Sequence, residues 1–178
     1  MQKVILTLGL PASGKTTWAK EELKNNPGKY KRVNKDDLRA MLDSHYTPEN
    51  EKFIIQSRDT LIEQSLRDGF SVIVDDTNLH PSHQTRIANI VERFNLDTSR
   101  DVKIETKFFN TPVDDCIVRD KKRVNSVGEK VINTMYNQFN SIYNFDDINH
   151  IEQDVTLPKA IIVDIDGTIA RRTHRGPF

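Results

Sequence analysis

Four short runs of apolar, β-branched residues punctuate the chain, at 4–8, 70–74, 102–109 and 160–163, and the stretches between them return an apolar side chain every three or four residues. A short apolar run bounded by turn residues reads as a buried strand, and a 3.6-residue recurrence reads as a helix. Strands that alternate with helices form parallel ladders joined by helical crossovers. The pattern therefore predicts an α/β fold, a parallel sheet with helices on both faces. Helices are expected over 15–25, 35–43, 48–68, 81–94, 113–124 and 129–145, with a weaker strand near 30–34. Gly69 closes the helix that precedes the strand at 70, and Pro81 opens the next at a position where its missing N–H costs nothing. Over 146–158 the periodicity fades into Asp, Asn, His and Gln, which reads as a linker between a domain over 1–145 and a last segment over 159–178.

Length and composition narrow the class. With 178 residues, 36% apolar and 29% charged, the chain has room for one ordinary globular domain that needs no disulfide or metal to hold it. Lysine plus arginine equals aspartate plus glutamate, 26 against 26, so no global field draws the protein onto nucleic acid or an anionic membrane, and any such contact must be local. Cys116 is the only cysteine, which excludes an internal disulfide and a cysteine zinc site and suits a reducing compartment, the cytoplasm. Met1-Gln2-Lys3 followed by an apolar run imitates a short signal peptide, but what comes next explains that run better. No stretch approaches the ~20 apolar residues of a membrane span, so no membrane partner is expected.

Directly after the first strand, Gly9-Leu10-Pro11-Ala12-Ser13-Gly14-Lys15-Thr16 satisfies G-x-x-x-x-G-K-[ST] in full, and a helical pattern follows at once. The glycines let the backbone wrap so that its N–H groups face phosphate oxygens, and the helix start adds partial positive charge. Gly9, Pro11, Ala12, Ser13, Gly14, Lys15, Thr16 and Thr17 are thus expected around the phosphates of a nucleoside triphosphate such as ATP. Lys15 would reach the β- and γ-phosphates, and the Thr16 hydroxyl would ligate Mg²⁺. The expected fold is a P-loop NTPase of the kinase type.

A kinase also needs a group to take the acceptor's proton. Asn34-Lys35-Asp36-Asp37-Leu38-Arg39 lies where a strand gives way to a helix, the edge at which open α/β sheets bind ligands. Asp36 and Arg39 are three apart on that helix and share a face, so a carboxylate can receive a hydroxyl proton while a guanidinium grips a nearby phosphate. By themselves these acids could simply cap the helix. Asp75-Asp76-Thr77-Asn78 ends another strand at the same edge, where the two acids could hold Mg²⁺ through water, orient Arg39, or make ordinary turn bonds. Arg119 and Arg123, four apart in a stretch read as helical, are candidates for a mobile lid over the donor phosphates, hinged over 124–128, although charge runs are commonly solvated faces.

In this order the motifs resemble the phage-type polynucleotide kinase-phosphatase family, a 5′-kinase fused to a 3′-phosphatase that heals broken RNA or DNA ends, and the resemblance extends over nearly the whole chain. It implies Asp36 as general base, Arg39 on the acceptor's 3′-phosphate, Asp76 with Thr77 and Asn78 supporting that site, and Arg119 and Arg123 on the ATP phosphates. Lys35 stands where arginine is expected in some relatives, and a lysine loses the bidentate geometry. Asp164-Ile165-Asp166-Gly167-Thr168 looks like the opening motif of haloacid-dehalogenase-type phosphatases, in which the two aspartates hold Mg²⁺. The chain ends ten residues after Thr168, so that phosphatase is expected to be incomplete here, with Arg171, Arg172, His174 and Arg175 in a basic tail. The resemblance further implies a functional link to an RNA ligase, and the host cytoplasm for a phage-encoded chain.

The expected reaction is transfer of the γ-phosphate of Mg·ATP to the 5′-OH end of RNA or DNA. Two rivals are a small-molecule or nucleoside kinase built on the same cradle, and a non-catalytic nucleotide-binding module. Trp18 is expected to pack, Cys116 to be buried and inert, and the histidines at 45, 80, 83, 150 and 174 show no metal-ligand spacing. Oligomeric state, strandedness, and RNA or DNA preference are not legible.

Overall fold

Residues 1–143 and Phe145 are described by the computed structural model; the linker read over 146–158, the strand at 160–163 and the motif of Asp164 and Asp166 lie outside the described residues. In chain order the elements are β1 (Lys3–Leu8), α1 (Lys15–Asn25), β2 (Tyr30–Val33), α2 (Lys35–Leu42), α3 (Pro48–Arg67), β3 (Ser71–Val74), α4 (Pro81–Thr98), β4 (Lys103–Phe108), α5 (Val113–Asp120) and α6 (Glu129–Tyr143). The strands form one sheet in the order β2-β3-β1-β4, and each pairing is parallel.

Register sorts the apolar residues onto two faces, because side chains alternate along a strand. Val4 pairs with Val72 and Leu6 with Val74, and these four join Leu8, Val33, Ile54, Ile62, Leu66, Ile87, Val91 and Phe94 in the larger core, under α3 and α4. Ile5 pairs with Ile73, one residue out of phase, and both meet Ala19, Tyr30 and the partly buried Trp18 and Leu23 under α1. Helices therefore cover both faces, as the pattern predicts. Each fully buried aliphatic side chain contributes about 1.5–3 kcal/mol, so the sheet core is the main source of rigidity for whatever sits at its carboxyl edge.

Local chemistry sets the ends of the elements that matter. Asn34 caps α2 by accepting from Asp37 N at 2.9 Å, and Thr47 caps α3 by accepting from Asn50 N at 3.0 Å, with Pro48 in the first turn. Two ends differ from expectation. The fourth helix continues past Phe94 to Thr98, with Leu96 turned to solvent, so its last turn lacks the apolar contact that marks a buried helix in sequence. The fifth stops at Asp120 instead of running to 124, because the buried Asp120 carboxylate accepts from Ser126 Oγ at 2.6 Å and Gly128 N at 2.9 Å and gathers the chain into a loop.

The strand at 103–108 is the outer member of the sheet, and all six of its residues are exposed. Its last side chain, Phe108, stacks on Tyr143 and Phe145 with 5.6 Å between ring centroids in each case. β1 lies between β3 and β4, so from β1 the chain crosses to the outer β2, returns to β3 beside β1, and then crosses to β4 on the other side. Such a switch point opens a crevice at the carboxyl ends of the strands, and the loop after β1 lies in it.

Candidate active site

The loop after β1 is shaped by three positions with positive φ. At Gly9, φ is +153°, and a Cβ would lie 2.8 Å from both Phe109 O and Ser13 Oγ, so no side chain fits. Gly14, at φ +99°, turns the loop into α1. Ala12 also has positive φ, at 60°, a strained setting of the kind held at ligand-binding loops. Gly9 N donates to Thr77 O at 3.2 Å and Thr111 Oγ1 donates to Ser13 O at 3.0 Å, tying the loop to the ends of β3 and β4.

Lys15 is buried at the mouth of this loop, where its Nζ donates to Leu10 O at 2.6 Å, Gly9 O at 3.0 Å and Ser13 Oγ at 3.2 Å. Burial drives its ammonium down to about 8, with Asp75 pulling it back and the Arg123 charge adding to the push. The exposed Thr16 and Thr17 follow in the first turn of α1.

The acids at the end of β3 part company. Asp75 is buried; its Oδ2 accepts from Arg32 Nε at 2.7 Å, while its Oδ1 is buried without a hydrogen-bond partner among the described residues. Burial raises its carboxyl, against the pull of Arg32, Thr16 and Lys15. Asp76 faces the acceptor helix: Oδ1 accepts from Lys35 N at 2.9 Å, and Oδ2 lies 3.7 Å from Arg58 Nη1. Of the two acids, Asp75 is the one that interacts with Thr16, and Asp76 is turned to the start of α2. An orphan carboxylate oxygen next to a threonine hydroxyl is a donor set that fits a hydrated Mg²⁺. Among the described residues no three His, Cys, Asp or Glu side chains converge as ligands, so such an ion would be completed by phosphate oxygens and water.

On α2, Asp36 of the first turn and Arg39 of the last stand together, with Arg39 Nη1 donating to Asp36 Oδ1 at 2.5 Å. The other side of the guanidinium is taken by Glu51 of α3, Nε to Oε2 at 2.9 Å and Nη2 to Oε1 at 2.7 Å. Lys35 Nζ stands 3.8 Å from the same Glu51. The Arg39 hydrogen bonds hold the Glu51 carboxyl below its ordinary value. Arg32 bridges Asp75 to Asp37, the neighbour of Asp36, and so links the two halves of the crevice through β2.

The segment after β3 is anchored to its surroundings at two residues. Asn78 is fully buried in a left-handed conformation, φ 47°, and its Nδ2 donates to Thr7 O at 2.9 Å and Val74 O at 3.1 Å. Through these donors it fastens the end of β3 to β1. Thr77 is half-buried and offers its carbonyl to Gly9 N.

Arg119 and Arg123 are both exposed, but they do not share a helical face. The helix ends at Asp120, and Arg123 lies in the turn beyond it, with N donating to Asp120 O at 2.9 Å. The Arg123 charge acts on Lys15, and that of Arg119 on Cys116 one turn back in the same helix. Burial by itself would raise the Asp120 carboxyl, but Ser126, Gly128 and Val127 donate to it and hold it below the ordinary value. Cys116 is buried beside the cradle, and burial pushes its thiol up to about 11. Trp18 packs against Phe109 with centroids 5.8 Å apart.

Sequence reasoning missed Arg32, Glu51 and Arg58. Arg58 is buried in α3 and donates to Asp59 Oδ1 through Nε at 3.0 Å and Nη2 at 2.7 Å. Its apolar neighbours at 54, 62 and 66 gave the only available signal, a charge on the buried stripe of a helix.

Comparison with known proteins bears on the family and the fold. The family model described as AAA domain matches residues 4–142. A protein of Autographa californica nuclear polyhedrosis virus, named as a bifunctional polynucleotide kinase/RNA ligase, is 27% identical over 98% of this chain and 26% of its own length. The L-seryl-tRNA(Sec) kinase of Methanococcus maripaludis is 29% identical over 78% of this chain and 52% of its own length. Among solved structures, a chain of the Pnkp1/Rnl/Hen1 RNA repair complex superposes with a TM-score of 0.68 at 25% identity, over 80% of this chain and 45% of that one. The chain thus spans about a quarter and about half of the two curated relatives.

Proposed function

The chain belongs to the AAA domain family and has a P-loop kinase fold, and from that premise we propose that it transfers the γ-phosphoryl group of ATP to the 5′-hydroxyl end of RNA or DNA, in the healing of broken ends. The observation that carries this reading is the Asp36–Arg39 pair, a carboxylate and a guanidinium side by side on a helix whose first N–H is tied by Asp76 to the strand flanking the cradle.

In the proposed reaction the backbone amides of Gly9 to Thr17 and the Lys15 ammonium hold the donor phosphates, which draw Lys15 off the carbonyls it now contacts. Thr16 and Asp75 would hold Mg²⁺, which when bound neutralises charge on the donor phosphates. The acceptor oxygen attacks the γ-phosphorus, the bond from that phosphorus to the β–γ bridging oxygen breaks, and ADP leaves. Asp36 takes the hydroxyl proton while Arg39 grips the phosphate on the 3′ side of the same nucleotide. Arg119 and Arg123, both exposed, would meet the charge that develops on the transferring group. A link to an RNA ligase and a cytoplasmic setting belong to the same proposal, supported by the viral relative's name and the RNA repair complex. The Asp164–Asp166 phosphatase motif is carried forward on its sequence alone.

A second reading comes from the archaeal relative, a kinase named for seryl-tRNA, and gives the same cradle an alcohol that is not a 5′ end. Labelled ATP offered with 5′-OH oligonucleotides, the same oligonucleotides already 5′-phosphorylated, free nucleosides and seryl-tRNA separates them. Label entering only the 5′-OH oligonucleotides supports the proposal. Label entering seryl-tRNA or nucleosides with equal or better kcat/KM refutes it.

A further inference from the structure

Arg39 is engaged on two sides in an unequal way. Nε and Nη2 form one bidentate edge, closed onto Glu51 at 2.9 and 2.7 Å, and Nη1, on the other edge, is held by Asp36 alone at 2.5 Å. The Glu51 side chain is 19% exposed and lies within 3.8 Å of Lys35 Nζ as well, whereas the Asp36 side chain is 81% exposed and has no other partner among the described residues. Exposed single-bond pairs are weak and readily exchanged; bidentate, half-buried ones fix orientation.

We infer that Glu51 is a positioning residue that permanently aims Arg39, and that Asp36 is a placeholder on the outer edge of the guanidinium, displaced by the acceptor's own phosphate and thereby released to act as base. The inference rests on the proposed polynucleotide reading and deepens it. A phosphate arriving at the Nη1 and Nη2 edge forms two charge-assisted bonds where Asp36 formed one, and the freed carboxylate turns to the hydroxyl one sugar away. A hydroxyl compound without that phosphate leaves Asp36 bound to Arg39, so it is penalised in turnover and not only in binding. The acceptor thus arms the base that deprotonates it, and specificity for nucleic-acid ends over free nucleosides follows from one guanidinium.

The test is steady-state kinetics of the full chain with two acceptors, a 5′-OH dinucleotide with its internucleotide phosphate and the matching nucleoside, on the wild type, Glu51→Gln and Glu51→Ala. In the wild type, kcat for the nucleoside is expected to lie well below that for the dinucleotide. Loss of aim at Arg39 should raise the dinucleotide KM roughly 10- to 100-fold in Glu51→Ala, while the KM for ATP holds and the nucleoside kinetics change by a smaller factor. Glu51→Gln keeps one acceptor oxygen and should fall between. If the alanine variant fails to fold, judged by its thermal unfolding, the glutamine variant decides alone. Variants that leave the dinucleotide KM unchanged, or that damage both acceptors equally, overturn the inference while a wild type active on the dinucleotide preserves the function. A wild type that turns over the nucleoside as fast as the dinucleotide overturns both.

Discussion

Arg32 ties the donor half of the site to the acceptor half, and its removal has a calculable cost. In Arg32→Met the buried Asp75 carboxylate, 0% exposed at its side chain, loses the Nε donor at 2.7 Å that stands against its desolvation. Breaking one arm of a buried pair costs about 3–5 kcal/mol, and the second arm, to an Asp37 side chain that is 64% exposed, adds no more than about 1 kcal/mol. Protonation offers relief. The Asp75 carboxyl already lies above its unfolded value because of burial, and without Arg32 it rises further, so the folded variant binds a proton the unfolded chain does not. Its stability should therefore increase as pH falls from 7 toward the unfolded carboxylate range, narrowing the gap to wild type. Urea unfolding followed by circular dichroism at pH 7 and pH 5 measures this; for a domain of this size each kcal/mol corresponds to about 2–4 °C in a parallel thermal scan. The double variant Arg32→Met with Asp75→Asn, which removes both charges, should recover most of the loss. A single variant within about 1 kcal/mol of wild type at pH 7, or a double variant no more stable than the single, would refute the reasoning.

Asp36→Ala should abolish transfer to 5′-OH ends while leaving ATP binding measurable by titration calorimetry, because Asp36 lies on α2 and not in the loop over 9–17. Lys15→Met should also lose activity, yet fold more stably near neutral pH: the wild-type ammonium is lowered to about 8 from 10.5, so the unfolded state holds more protons between those values and wild-type stability rises with pH there, a rise of ~3 kcal/mol that the methionine variant will not show in unfolding titrations. Asp120→Ala should release the loop over 121–128, seen as accelerated amide exchange at Val127 and Gly128, and raise the KM for ATP several-fold by loosening Arg123. In the wild type the same clasp is complete above the unfolded Asp value of 3.8 and is lost as pH falls through the lowered folded value.

The fold was largely legible because it rests on period: short buried strands and amphipathic helices write their spacing directly into the chain, and the four described strands lie within a residue of where the apolar runs place them. The cradle was legible because Gly9, Gly14, Lys15 and Thr16 are a local motif whose geometry depends on near neighbours. What was not legible depends on pairs distant in sequence. Glu51 reaches Arg39 across a helix-loop-helix, Arg32 reaches Asp75 across two strands, and no periodicity rule joins them. The anchoring bonds of Asn78 to Thr7 and Val74 were not legible because a polar residue at a strand's carboxyl end carries no sign in sequence of the backbone carbonyls it will meet. Arg123 misled because the helical pattern continues through 121–124, while the side chain that ends the helix, Asp120, acts through bonds to residues six and eight positions later.

The outer strand at 103–108 has one further consequence. An edge strand of a parallel sheet offers its unmatched peptide groups to any similar chain that drifts past, and here Lys103, Glu105 and Lys107 stand at alternate positions along it. Same-facing ionic side chains of mixed sign discourage a second copy from docking in register, because each shift that pairs the ladders sets buried charge against charge or leaves it unmet. Among the described residues this border thus lies open without inviting fibrous self-association, and valines at these three positions would remove that protection, the one at 107 also giving up the lysine's contacts over Trp18 and Phe109 beside the cradle.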